Sequence, residues 1–487
     1  MNNTNVELEE KTIVEDDVIT TASVSQDDDN ILVVKNLKQY FPIEKNFFGV
    51  PTRYLRAVDG VSFSIKRGHT FGLVGESGCG KTTLGRTIIG LYNATDGEAV
   101  FNGQSILAYN KSEKARFEKF EDNYLRNKAF EAFKEENPEL FYSKAEYASK
   151  FNVDDSELDN AYKTYKAESK IKIDAKKAEF KENISYPRSE VTFLKTKEKR
   201  ALKTHLQMIF QDPYSSLSPR MTVGEIISEA VREHKLVPKS ELKDYTFKIM
   251  KECGLQPYYY QRYPHEFSGG QRQRIGIARS LALNPELVIC DEPVSALDVS
   301  IQAQIINLLM DLQKKNGLSY LFISHDLSVV EHISDDVGVM YLGNLVEKGT
   351  KEQIFNNPSH PYTLALLSAI PVPDPDYKTE RIKLKGELPS PANPPKGCKF
   401  HTRCDKCMNI CTKVQPEEIE IEDGHFVTCH LFDKLKAELE KEEGNTDYLP
   451  FVNETTKEDD SKEVSLDELE SEVESQNDTT DNVSEEN

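Results

Sequence analysis

The chain has 487 residues, 38% of them apolar and 29% charged, no tryptophan, and a formal net charge of −21. That length can bury a substantial core in more than one domain. No run of 18 apolar residues occurs, so nothing in the sequence crosses a bilayer as a helix. The acidity is concentrated at the ends: residues 1–30 hold nine acidic residues and one lysine, residues 451–487 fourteen and two. The stretch between them is close to neutral, and the ends read as solvated, disordered tails.

From the N-terminus onward, no basic segment followed by an apolar one marks a cleaved secretion signal. A cytosolic chain with reduced thiols is therefore expected. The run GHTFGLVGESGCGKTTLGRTIIGL reads as an apolar strand, a glycine-rich turn and a helix, and Gly75 to Thr82 complete the pattern G-x-x-x-x-G-K-[ST]. Gly75, Gly78 and Gly80 permit a tight wrap in which backbone N–H groups, that of Ser77 among them, converge on phosphate oxygens, and the helix N-terminus adds donors. Lys81 is expected to reach the β- and γ-phosphates and Thr82 to ligate Mg²⁺. Thr83 supplies a further phosphate hydrogen bond. Cys79 inside the loop reads as filler at a permissive position; a bulky alkylating reagent there is expected to block ATP binding, and ATP to protect the thiol.

Residues 111–200 are rich in Glu, Lys, Ala, Phe and Tyr, and Phe117, Phe120 and Tyr124 recur at i, i+3 and i+7, which predicts amphipathic helices. The mixed charge forms no basic stripe for nucleic acid. The segment reads as a surface insertion, either an appendage without chemistry or a surface for a partner. Further on, PELVICDEP (285–293) is an apolar strand, Leu287–Cys290, ending in Asp291 and Glu292. A carboxylate at a strand end can orient Mg²⁺, and its neighbour can take the proton of an attacking water. Asp291 is assigned to the metal and Glu292 to the base.

The stretch YPHEFSGGQRQRIGIARSLALNPELVICDEPVSALDVS (263–300) resembles the ATPase subunits of ABC transporters. The resemblance implies an α/β fold: a P-loop NTPase of ABC type with an antiparallel β subdomain, a helical signature subdomain, the helical insertion and a small C-terminal cysteine-containing domain. It implies that Ser268, Gly269, Gly270 and Gln271 cap the γ-phosphate of ATP bound on an opposing ATPase subunit, and that Asp298, in SALD, lies in the loop crossing that seam. Gln211, in MIFQDP, matches the residue that senses Mg²⁺ and the attacking water. His325, in LFISHD, matches the switch histidine, and Tyr40, in NLKQYF, the aromatic that stacks on adenine, with Phe41 beside it equally able to stack.

FNNPSHPYTLALLSAIP (355–371) and GELPSPANPPKGCKFHTRC (386–404) resemble the tails of ATPase subunits from oligopeptide and dipeptide importers, and FQDPYSSLSPRMTVGEII (210–227) their F-type member. Implied partners are a D-type ABC ATPase subunit forming a heterodimer, two transmembrane permease subunits and an extracellular peptide-binding protein. No nucleic acid is implied, and the chain would sit peripherally on the cytoplasmic face of the membrane. The alternatives are a soluble ABC ATPase acting on nucleic acid or ribosomes, or an importer of another cargo such as dipeptide or nickel. The expected division is an acidic tail, 1–30; the ABC ATPase, 31–110 and 201–334; the insertion, 111–200; the C-terminal domain, 335–435; and a second acidic tail, 436–487.

Cys398, Cys404, Cys411 and Cys429 follow the spacing Cys-x5-Cys-x6-Cys-x17-Cys, which is neither the common zinc pattern nor the short ferredoxin run. The resemblance implies a [4Fe–4S] cluster on these four. Metal-free packed thiols, or zinc using Cys404, Cys407 and His401 or His425, are the alternatives. In each case the segment reads as a peripheral scaffold, remote from the ATP chemistry.

Overall fold

The structure, a computed structural model, describes residues 29–45, 47, 51–151, 153, 157–186, 196–370 and 381–433. Nearly all of the first acidic tail and the whole of the second lie outside the described residues. The chain divides into units 1–430 and 431–487, and everything below belongs to the first.

Two sheets organise it. The smaller is antiparallel, in the order β2-β1-β4-β5, from β1 (Asn30–Lys45), β2 (Pro51–Lys66), β4 (Asp96–Phe101) and β5 (Gln104–Ser105). The larger runs β11-β12-β10-β9-β3-β8-β7-β6. Its strands are β3 (Thr70–Val74), β6 (Leu206–Ile209), β7 (Leu287–Asp291), β8 (Ser319–Ile323), β9 (Asp336–Tyr341), β10 (Asn344–Thr350), β11 (Glu418–Glu422) and β12 (His425–Thr428). From β9 through β3, β8 and β7 to β6 the pairing is parallel. Every residue of β3, β7 and β8 is buried, as expected of parallel strands covered on both faces and written as unbroken apolar runs. The carboxyl ends of these strands deliver the phosphate loop, Asp291–Glu292 and Ser324–His325 to one edge of the sheet, where ligands of such sheets gather.

Helices Val223–His234, Leu242–Glu252 and Gly269–Leu281 pack together around buried Ile227, Met250 and Ile275. The first is opened by a reciprocal capping box between Thr222 and Glu225, which satisfies backbone donors that a helix start leaves unpaired.

In the insertion, helices Lys111–Glu136 and Leu158–Asn183 form. The aromatic periodicity is realised, and Phe117 and Phe120 face the antiparallel sheet. Phe117, 1% exposed, meets Tyr40, Tyr54 and Tyr186 edge-on at 5.3, 6.0 and 5.5 Å. Phe120 meets Tyr54 at 4.9 Å, and the ring of Tyr124 lies 5.5 Å from the Arg56 guanidinium. Buried Lys114 donates to Asp96 at 2.8 Å beneath this cluster.

The C-terminal segment is woven into the main sheet. β12 pairs with β10 through Glu347↔Val427 and Lys348↔Phe426, and β11 pairs with β12.

Candidate active site

Between β3 and the helix Lys81–Ile88 the loop turns on glycines that no other residue could replace without movement. Gly80 has φ 109°, and a Cβ there would stand 2.0 Å from the Ala57 carbonyl oxygen. At Gly75 a Cβ would stand 2.1 Å from the Met340 carbonyl oxygen. Lys81 is 4% exposed, and its ammonium donates to the carbonyls of Gly75 at 2.7 Å and Glu76 at 3.1 Å. A buried cation hydrogen-bonded to carbonyls is ready to exchange those partners for phosphate oxygens.

A cavity of about 240 Å³ opens over the loop, lined by Ser77, Gly78, Gly80, Lys81, Thr82 and Thr83, by Gln211 and Glu292, by Phe41, Leu55 and Ala57, and by Pro391. Gln211 Nε2 donates to Glu292 Oε2 at 2.8 Å, and His325 Nδ1 lies 3.2 Å from the same oxygen. Glu292 is held where a non-glycine residue seldom sits, at φ 45°. Its N–H donates to Ile323 O at 2.9 Å, and its carbonyl accepts from Ser295 Oγ at 3.1 Å. Such a backbone position persists because its surroundings enforce it, and here it turns the carboxylate into the cavity.

Thr82 Oγ1 donates to Asp291 Oδ1 at 2.6 Å. Asp291 is fully buried, and its Oδ2 has no hydrogen-bond partner among the described residues, with Arg86 Nη2 3.7 Å away. Burial pushes this carboxyl above the usual carboxylate range, against the lowering hydrogen bond from Thr82. An orphaned buried carboxylate oxygen beside a threonine hydroxyl suits a hard divalent cation, so Thr82 and Asp291, with Gln211 across the cavity, fit Mg²⁺.

Several expected residues are not brought here. Ser268, Gly269, Gly270 and Gln271 open the helix Gly269–Leu281 elsewhere, with Ser268 and Gln271 bonded reciprocally at 3.4 and 3.2 Å. Gly270 is fixed by packing, since a Cβ would stand 2.4 Å from Ile301 Cγ2. Asp298 precedes the helix Val299–Asn316 and accepts from Ser300 Oγ at 2.8 Å. None of these five lines the cavity.

Tyr40, the expected adenine platform, does not line this cavity. It is 6% exposed, its ring lies against Phe117, and its hydroxyl donates to Asp59. Phe41, the next residue, lines the cavity instead. Adjacent strand residues face opposite sides, and β1 shifts register between Gln39 and Tyr40. Cys79 is 1% exposed, and burial pushes its thiol pKa up, so the folded loop slows its alkylation.

The tail, expected to be remote, reaches the site. Pro391 lines the cavity, and its carbonyl accepts from Arg56 N at 3.3 Å. Lys399 donates to Asp59 at 2.8 Å, and Arg403 forms a bidentate pair with Glu76 of the phosphate loop. Among the described residues no group of three His, Cys, Asp or Glu side chains is arranged to hold a metal ion, although Cys398 and Cys404 lie near enough to Cys411 that, after burial, it adds to the upward push on both thiols. Zinc fares no better: His401 Nδ1 bonds Cys398 O at 2.8 Å, and His425 Nε2 bonds Glu347 at 2.9 Å.

A parallel sheet carrying a phosphate loop, a strand-end Asp–Glu pair, a glutamine and a histidine on one carboxylate defines an ATPase of the ABC class. The ABC transporter family matches residues 58–186 and 171–295, in two pieces that overlap within the insertion, and the family "Oligopeptide/dipeptide transporter, C-terminal region" matches 346–411. Similar curated proteins include the oligopeptide transport ATP-binding protein AppF of Bacillus subtilis, 44% identical over 83% of this chain and 98% of its own length. Others are the dipeptide transport ATP-binding protein DppF and the oligopeptide transport ATP-binding protein OppF of Escherichia coli, each 42% identical over 83% of this chain and 95% and 97% of their own. This chain belongs to the family of oligopeptide and dipeptide transport ATP-binding proteins of ABC transporters.

Proposed function

We propose that the chain is the ATP-hydrolysing subunit that powers oligopeptide import through a membrane ABC transporter. The observation that carries this is the meeting of Gln211 and His325 on Glu292 over a complete phosphate loop. ATP phosphates settle on the N–H groups of Ser77 to Thr83, and Lys81 exchanges its carbonyl partners for β- and γ-phosphate oxygens. Phe41 stacks on the adenine. Thr82, Gln211 and Asp291 would hold Mg²⁺, whose positive charge would be supplied to the phosphate oxygens there. Glu292 takes a proton from water as its oxygen attacks the γ-phosphorus, while Gln211 orients that water and His325 braces Glu292 and meets the γ-phosphate. ADP leaves with the bridging oxygen.

Ser268, Gly269, Gly270, Gln271 and Asp298 serve the ATP held by a second ATPase, a D-type subunit set head to tail. Closing on two ATP molecules moves two permease subunits through the exposed Gln211 loop, and an extracellular peptide-binding protein delivers the cargo. The subunit sits peripherally on the cytoplasmic face of the membrane; no helix among the described residues is long and apolar enough to cross one. A [4Fe–4S] cluster rests on the sequence resemblance alone. Iron and sulfide analysis of anaerobically purified protein decides it, and no step above passes through it.

The test is co-purification in detergent followed by reconstitution into vesicles. Permease subunits and ATP-dependent uptake of short peptides are expected. Co-purification with RNA or ribosomal proteins, and no peptide uptake, would overturn the proposal.

A further inference from the structure

We propose that Arg403, in the C-terminal segment, is a positioning residue for ATP binding: it clamps Glu76 of the phosphate loop without touching the nucleotide. The pair is bidentate, Arg403 Nη1 to Glu76 Oε2 at 2.7 Å and Nη2 to Oε1 at 3.0 Å. This fork-to-carboxylate geometry fixes direction as well as distance. The Arg403 side chain is 7% exposed and that of Glu76 27%, so the pair is shielded from the screening that weakens surface ion pairs.

Glu76 is held at two further points. Its N–H donates to the hydroxyl of fully buried Tyr362 at 2.9 Å, and its carbonyl accepts from Lys81 at 3.1 Å. The residue at the mouth of the loop thus has its side chain, N–H and carbonyl all committed, two of the three to groups from the C-terminal third of the chain. Because Lys81 must turn from these carbonyls to phosphate, something else has to keep the loop open in shape, and the Arg403 and Tyr362 contacts do this independently of Lys81.

The clamp is itself rigidly mounted. Phe400, 2% exposed, packs against Tyr341 at 5.2 Å and Tyr362 at 5.4 Å, and the Arg403 guanidinium lies 5.9 Å from the Tyr341 ring. Arg403 N–H donates to Phe400 O at 2.9 Å, and Cys398 N–H donates to Cys411 O at 2.8 Å, closing the loop that carries the arginine. At Gly397, φ 66°, a Cβ would stand 2.4 Å from Cys411 O, so this closure requires glycine. The arrangement also answers an electrostatic problem. A carboxylate inside a loop that binds a polyphosphate would repel its ligand, and Arg403 cancels that charge where it stands. The cysteine-bearing segment is therefore part of the apparatus that sets nucleotide affinity.

The inference rests on the phosphate loop being the ATP site, so Lys81→Ala is measured alongside in the full-length chain. Equilibrium binding of a fluorescent ATP analogue with Mg²⁺ gives Kd, and steady-state hydrolysis gives kcat. Arg403→Gln is expected to raise Kd about tenfold, as loss of a charge-assisted bidentate contact that leaves the Glu76 carboxylate uncancelled implies, and Glu76→Gln, which frees the loop but removes that repulsion, by about threefold, with kcat at saturating ATP changed less than about threefold in both. The double variant should bind no worse than Arg403→Gln, since both break one contact, and Arg403→Lys should recover part of the loss. Should Arg403→Gln fail to fold, Tyr362→Phe keeps the ring packing and removes only the acceptor for Glu76 N–H, and it should raise Kd about threefold. Unchanged Kd in Arg403→Gln, or in Tyr362→Phe where that variant stands in, overturns the inference, as does a double variant equal to the product of the singles. Retained binding in Lys81→Ala overturns the ATP-site reading itself.

Discussion

Replacing Phe41 by alanine removes the one aromatic ring among the described residues that line the phosphate-loop cavity. The ring is held edge-on against Tyr92 at 5.4 Å, so it offers a fixed face instead of a mobile one. Stacking of a base on such a ring contributes about 1–3 kcal/mol by alanine substitution, which corresponds to about 5- to 150-fold in Kd for ATP. The matched control is Tyr40→Ala. Tyr40 is buried under Phe117 and bonded to Asp59, so its truncation opens a cavity between the sheet and the insertion and costs about 3–5 kcal/mol of stability. The two variants should separate cleanly. Equilibrium ATP binding weakens in Phe41→Ala with little change in urea midpoint, whereas Tyr40→Ala lowers the midpoint, and the protein that remains folded binds ATP normally. Full affinity in Phe41→Ala together with weakened binding by folded Tyr40→Ala would refute the assignment and return the adenine to Tyr40.

Other outcomes follow from the packing and the titrating groups. Phe117→Ala should lower the urea midpoint by about 3–5 kcal/mol worth of stability, because the ring joins the insertion to Tyr40, Tyr54 and Tyr186; an unchanged midpoint would mean the insertion is not docked. His360 is buried, which depresses its pKa to about 4 against the opposing carboxylate of Glu347. The unfolded chain takes up a proton near its ordinary pKa of about 6.5 that the folded chain refuses, so stability present above that pH is withdrawn as pH falls towards 4, by about 3 kcal/mol at the limit. Denaturant midpoints compared at about pH 7 and about pH 5 should therefore converge in His360→Asn, which keeps a capping side chain; an unaltered pH slope would contradict this. Among the thiols, exposed Cys407 should react with a maleimide well before buried Cys79, and peptide mapping showing Cys79 first would show that the loop opens in solution.

The phosphate loop and the Asp291–Glu292 strand end were legible because their chemistry is local. A glycine-rich turn between an apolar strand and a helix, or two carboxylates ending a buried strand, carries its geometry in neighbouring residues. The choice between Tyr40 and Phe41 was not legible. It depends on which parity of a strand faces inward, and the register shift at Gln39–Tyr40 changes that parity without marking the sequence. The direction of the insertion was half legible: spacing gives an apolar stripe at Phe117 and Phe120, but not the surface it covers. The reach of the tail was hidden for another reason. Arg403 and Glu76 are 327 residues apart, and a single ion pair has no periodicity. One signal did exist, an acidic residue inside a polyphosphate-binding loop, which calls for a cation nearby. The apparent remoteness of the cysteines was a statement about sequence distance, and β12 pairing with β10 removes it.

The central claim, that Glu292 is the base of an ATPase centred on this cavity, is tested most directly by Glu292→Gln. The amide keeps the shape and can still meet Gln211 and His325, but it cannot accept the proton of the attacking water. Hydrolysis measured at saturating ATP in the assembled transporter should fall by about 10²- to 10⁴-fold, with ATP affinity within about twofold of the parent. Turnover above about a tenth of the parent, with binding intact, would contradict the account.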